Sequence, residues 1–165
     1  QLNNFGFTPK KPVVMAWSAG VEELVQMTPE MRSNLIVGTN YYYSVDNPEN
    51  KAFVAAYKAK NDGVPPGYAP GAAYGMMKVI LKAMKDSGKT DPAGVAKAME
   101  GMDGKTLIGN YHVNDWNHQT VRPYFVLQTK PESKMKDKYD FADIVDVSGT
   151  EQPKNMNECK DMGGF

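Results

Sequence analysis

Apolar positions between Val13 and Gly101 switch repeatedly between short continuous runs and helical stripes. Val13-Val14-Met15-Ala16-Trp17 is a continuous run, short enough for a strand buried on both faces. Ser18-Ala19-Gly20 turns the chain, and Val21, Leu24, Val25 and Thr28 then share one helical face that Pro29 stops. Leu35 to Tyr43 is rich in β-branched and aromatic residues and reads as the next strand, ending in Tyr41-Tyr42-Tyr43-Ser44. Alternation would place Tyr41 and Tyr43 on one face of it and Tyr42 on the other. Asn47 is a good N-cap, with Pro48 at the first helical position and Glu49 beside the positive helix end. Phe53, Ala56 and Tyr57 form the stripe of that helix, and Gly63-Val64-Pro65-Pro66-Gly67 breaks it. A long helix follows from about Pro70 to Ser87, with Ala73, Met76, Met77, Ile80, Ala83 and Met84 as a wide apolar face and Gly88 as its stop. Asp91 and Pro92 start one more helix, which Gly101 ends.

Beyond Gly101 the period becomes that of strands, with candidates at residues 107–113, 121–129 and 141–147. Asn114-Asp115-Trp116-Asn117 reads as a hairpin turn, residues 130–138 as a charged loop, and the chain from Ser148 as a polar tail. At the other end, Gln1 to Phe7 resembles the tail of a helix closing at Gly6. Alternating strands and helices predict parallel α/β units. Two or three parallel strands alone would leave open edges, so this chain is expected to dock on more protein.

Composition narrows the function. The 165 residues suffice for one ordinary core, and 41% hydrophobic with 23% charged residues is a globular balance. Nineteen basic residues offset nineteen acidic ones, which removes the basic excess that nucleic acid binding needs. No apolar run approaches the length of a membrane span. The chain starts at Gln1 without a signal-like segment, so processing or truncation is expected. The single cysteine, Cys159, is either a free surface thiol or one half of a pair whose partner lies elsewhere in a longer sequence. The eleven methionines fall mostly at core spacing and read as packing.

In open α/β sheets ligands bind beyond the carboxyl ends of strands. Two such ends are visible. At Trp17-Ser18-Ala19-Gly20, backbone N–H groups could receive a ligand carboxylate with the Ser18 hydroxyl assisting, or Ser18 could simply cap the helix. At Tyr41-Tyr42-Tyr43, amphipathic rings could line an apolar cleft, with two of the three serving the core and Tyr43, then Tyr41, the best ligand contacts. Tyr68, just before the long helix, is a third candidate. His112 and His118 bracket Asp115, but the spacing matches no common zinc pattern. No glycine-rich phosphate loop follows a strand and no Gly-x-Ser-x-Gly elbow is present, so no catalytic residue, metal or cofactor is assigned.

The order of these pieces resembles the C-terminal part of a type I periplasmic solute-binding protein of the branched-chain amino acid (Leu/Ile/Val) binding family. The resemblance covers about residues 5–130 and rests on Phe53-Val54-Ala55-Ala56-Tyr57-Lys58, Ala72-Ala73-Tyr74, Ser87-Gly88-Lys89-Thr90-Asp91-Pro92 and the strand after Arg122-Pro123. It implies an incomplete Venus-flytrap α/β architecture holding parts of both parallel-sheet lobes. Residues 1–44 would belong to the second lobe and 45–121 to the first. Residues 122–165 would supply the last crossover, second-lobe strands and a tail. It also implies a periplasmic or secreted carrier for an ABC importer, with no enzymatic activity. Its partners would be a small-molecule ligand, the permease subunits and the missing N-terminal part of the same protein. Relatives that bind free amino acids hold the ammonium with an acid in the turn matching Trp17-Ser18-Ala19-Gly20. This turn has none, the nearest being Glu22, and Trp17 suggests stacking on a flat ligand such as an aromatic acid. The same fold in a sensory receptor or regulator is the alternative, and a nucleotide-dependent α/β enzyme a lesser one.

Overall fold

A computed structural model describes residues 4–7, 10–16 and 19–149. Trp17, Ser18 and Cys159 lie outside the described residues. The described elements are β1 (Val13–Met15), α1 (Val21–Leu24), β2 (Leu35–Thr39), α2 (Pro48–Lys60), α3 (Tyr68–Ser87), α4 (Pro92–Met99), β3 (Asp103–Thr106), β4 (Gly109–Val113), β5 (Thr120–Val121), β6 (Pro123–Thr129) and β7 (Ala142–Gly149). They form two sheets, one ordered β1-β2-β6-β7 and the other β3-β4-β5.

The first sheet is mixed. β1 and β2 run parallel with Val13 opposite Leu35, as the alternation of strand and helix predicts. β6 then pairs antiparallel with β2, and β7 antiparallel with β6. Leu35, Val37, Phe125 and Leu127 are buried and form the main core with Ala19, Leu24, Tyr41, Tyr42 and Leu107. β1 is less buried than its apolar run suggests, because it lies at the sheet edge, and Val14 is 68% exposed. Thr129 ties β6 to the entry of β2, where its Oγ1 accepts from Leu35 N–H at 3.0 Å and donates to the Arg32 carbonyl at 2.6 Å. Arg32 is itself buried, donating to the Leu24 and Met27 carbonyls and lying over the Phe141 ring.

The second sheet is antiparallel, and α3 packs against β3 and α4. Helix punctuation matches the local signals. Asn47 Oδ1 accepts from Asn50 N–H at 2.8 Å and Asp91 Oδ1 from Gly94 N–H at 2.7 Å, each followed by proline. Gly88 takes the left-handed conformation, φ +68°, that ends α3.

Several expectations are corrected. β2 stops at Thr39, so Tyr41, Tyr42 and Tyr43 lie in the link that leaves the first sheet, where strand alternation does not apply. The helix expected to reach Thr28 makes one regular turn, and Val25 is exposed. The run at 121–129 is interrupted at Arg122, with β5 in the second sheet and β6 in the first. The buried stripe of α3 is Gly71, Gly75, Val79 and Ala83, whereas Met76 and Met77 are exposed. A spacing of four through small residues lets the α3 backbone approach its neighbours closely, and the larger side chains turn outward.

Gly71 is the tightest of these approaches, because a Cβ there would overlap the Tyr41 ring. Tyr41 is fully buried and cannot give way. Gly71→Ala is therefore expected to destabilise the protein by about 1–3 kcal/mol, read as a lower urea midpoint with unchanged slope.

Candidate functional site

The link between β2 and α2 is organised by one side chain. Asn50, fully buried in the first turn of α2, accepts from Tyr41 Oη–H at 2.9 Å. Its Nδ2 donates to the Tyr43 and Val45 carbonyls, both at 2.8 Å. Asn47 Nδ2 adds a bond to the Leu107 carbonyl at 2.6 Å, reaching the turn between β3 and β4. Burial pushes the Tyr41 hydroxyl far above the usual tyrosine range, which keeps it a donor. Its ring meets Phe53 edge-on at 6.3 Å, and Phe53 in turn packs on Tyr74 at 4.6 Å. Asn50 carries no sequence signal beyond helical position, since its three partners become neighbours only when the link folds back over α2.

The three tyrosines therefore separate. Tyr41 and Tyr42 belong to the core. Tyr43 is half-buried and donates to the Tyr139 carbonyl at 3.1 Å, so its hydroxyl is committed to the loop before β7. Tyr68, in contrast, faces the first candidate strand end. A Cβ built on Gly20 would stand 3.4 Å from the Tyr68 ring. Ala19 is fully buried beside it, and both residues join the main core. Ala19, Gly20, Gly67 and Tyr68 thus form a seam where the turn after β1 meets the start of α3, at the carboxyl end of a parallel strand.

The electrostatics of this seam differ from the expectation of free backbone donors. Gly20 N–H is already taken by Glu23 Oε2 at 2.7 Å, half of a capping box. Glu22 lies across the seam, its carboxylate over Gly67. Desolvation raises the pKa of its carboxyl, and the neighbouring Glu23 charge adds to this. The seam is therefore acidic at its outer flank.

The two histidines do not converge. His112 Nδ1 pairs with Asp103 Oδ1 at 2.8 Å and His118 Nε2 with Glu100 Oε1 at 3.3 Å. Among the described residues no three His, Cys, Asp or Glu side chains cluster for a metal.

A cavity of about 280 Å³ opens elsewhere, between α3 and the second sheet, and includes Ala72, Met76, Val79, Ile108, Tyr111 and Arg122 in its wall. Arg122 is half-buried, and desolvation lowers its pKa. Its Nη1 donates to the Asn40 carbonyl over 3.5 Å. Met77 and Leu81 continue the exposed apolar face along α3. No helix among the described residues is long and apolar enough to cross a membrane.

A family described as periplasmic binding protein matches residues 1–136. Over 64 residues the chain is 39% identical to a leucine-, isoleucine-, valine-, threonine- and alanine-binding protein of Pseudomonas aeruginosa, a stretch covering 39% of this chain and 17% of that protein. An amino acid ABC transporter substrate-binding protein from Pseudomonas fluorescens Pf-5 superposes with a TM-score of 0.84 at 30% identity, covering 92% of this chain and 40% of that one. The fold is shared with a solute-binding protein of an ABC transporter from Rhodopseudomonas palustris BisB5, in complex with 3,4-dihydroxybenzoic acid, at a TM-score of 0.74 and 19% identity, covering 94% of this chain and 42% of that one. The chain thus spans about two fifths of these solved relatives.

The Asn50 knot predicts graded losses. Tyr41→Phe removes one hydrogen bond and is expected to cost about 0.5–1.5 kcal/mol. Asn50→Ala leaves the Tyr43 carbonyl and the Tyr41 hydroxyl short of partners, while the Val45 carbonyl keeps Asn47 N–H at 3.1 Å, and should cost more than twice as much, since each orphaned buried group costs about 1–3 kcal/mol. Denaturant titration of the two variants and their double mutant measures both values, and the double mutant should recover part of the Asn50→Ala loss, because it no longer carries the orphaned Tyr41 hydroxyl.

Proposed function

Because the chain belongs to the periplasmic binding protein family, of the Leu/Ile/Val-binding type, we propose that it is part of an extracytoplasmic solute-binding component that delivers a small organic ligand to an ABC importer. The family consists of substrate-binding proteins, so the chemistry is recognition rather than turnover. The first sheet with α1 reads as part of one lobe, and α2 to β5 as part of the other. The links after Thr39 and across Arg122 are the crossovers between them. Closure of the lobes would bury the ligand and create the surface that the permease recognises.

The seam of Ala19, Gly20, Gly67 and Tyr68 carries this reading. It lies at the carboxyl end of β1, joins the two sheet units, and offers an apolar floor with one amphipathic ring. The open edge of β1 and the apolar wall around Met76, Met77 and Leu81 support a further partner, the remaining part of the same protein. Relatives of this fold include one named as an amino acid ABC transporter substrate-binding protein and one in complex with 3,4-dihydroxybenzoic acid, so the ligand class we propose is an amino acid or an aromatic carboxylic acid.

Calorimetry on the full-length protein with leucine and with 4-hydroxybenzoate tests the reading. Saturable one-site binding of either ligand is expected, and heat from neither, with no rise in melting temperature, rejects it. Tyr68→Ala should weaken the bound ligand about tenfold or more, about 1.4 kcal/mol. Tyr43→Phe should leave affinity unchanged, because the Tyr43 hydroxyl is engaged by Tyr139.

A further inference from the structure

The two sheet units meet at the seam beside one acidic side chain, Glu22. α1 follows β1 of the first sheet, while α3 packs on β3 of the second. Gly67 begins the 20-residue α3 as an N-cap without a side-chain hydrogen bond. The positive end of a long helix is thus left without a side-chain cap from its own sequence. The Glu22 carboxylate lies over this glycine, so closely that a Cβ at Gly67 would overlap both its oxygens. The same carboxylate would stand 3.1 Å from a Cβ on Gly20. Two glycines from opposite sides therefore form a slot one carboxylate wide.

The neighbouring acid does different work. Glu23 turns inward to hold the Gly20 N–H and closes its own helix, whereas Glu22 reaches across to the other unit. Pro65, Pro66 and Gly67 are buried, so the receiving end of α3 is fixed in place. No Lys, Arg or His forms an ion pair with Glu22 among the described residues, and no such partner accounts for its placement.

We propose that Glu22 is a clamp across the seam, its carboxylate seated on Gly67 at the start of α3 to hold the two sheet units together and so position Ala19 and Tyr68 around the ligand. It is a positioning residue, acting on the open–closed equilibrium rather than by ligand contact. The proposal rests on the reading of the seam as an interlobe cleft.

Spin labels on cysteines replacing the exposed Glu30 and Lys89, in a Cys159→Ser background of the full-length protein, report the separation of the units without any ligand. Glu22→Ala should shift the interlabel distances to longer values. Gly67→Ala should do the same, because its methyl group evicts the carboxylate. The double variant should match either single variant, since both break one contact. Glu22→Gln, of equal shape and no charge, should also open the protein. Unchanged distances in Glu22→Ala or Glu22→Gln overturn the clamp, as does full additivity of Glu22→Ala with Gly67→Ala. Leucine or 4-hydroxybenzoate, whichever binds the wild type, should bind Glu22→Ala about tenfold more weakly, with the melting temperature of the free protein little changed. If neither binds the wild type, the solute-binding reading fails, while the ligand-free distances still decide the clamp.

Discussion

Asn50 sets the constraint on which the arrangement of the two sheets depends. A link leaving a sheet has backbone groups that must find partners once water is excluded, and here one amide takes two of its carbonyls. The same side chain fixes the Tyr41 hydroxyl, and Tyr41 in turn leaves room for α3 only because residue 71 is glycine. Asn47 connects this knot to the turn between β3 and β4. The link, the first turn of α2, the flank of α3 and the second sheet therefore share one small network. A change in any member is felt by the others, because each of these side chains is bonded to another part of the network.

Local signals in the sequence were sufficient for elements whose determinants lie within a few residues. The caps of α2 and α4, the glycine stop of α3 and the hairpin turn after β4 all follow from adjacent residue types. Residues whose environment is set at long range were read less well. The aromatic run at Tyr41 has strand propensity but sits in a link, because Asn50 and Gly71 offer its first ring a better place than another strand would. Met76 and Met77 keep helical core spacing yet face outward, since spacing reports which residues share a face and not what covers that face.

The candidate site shows the same division. The turn after β1 followed from the parallel α/β pattern, and α3 does begin at Tyr68, the aromatic placed just before the long helix. What could not be read was how the pieces meet. The backbone donor expected to greet a ligand at Gly20 is occupied by Glu23. Tyr43, the stronger of the two tyrosines by sequence position, turns its hydroxyl toward Tyr139, some ninety residues on. Glycines at 20 and 67 read as turn residues, whereas in the structure they are the places where two chain segments come close enough to share a carboxylate.

The register of the first sheet has a mechanical consequence. Thr39, the last residue of β2, pairs with Phe125 near the start of β6, so the chain leaves and re-enters this sheet on neighbouring strands at the same end. Paired residues in antiparallel strands stand about 4.5–5.5 Å apart. Two straps that close together resist sliding and twisting, because either would stretch one strap against the other. Bending about the line through both straps stretches neither. For these two straps the compliant direction is bending about the line through both, and the pairing of β2 with β6 sets where that line lies.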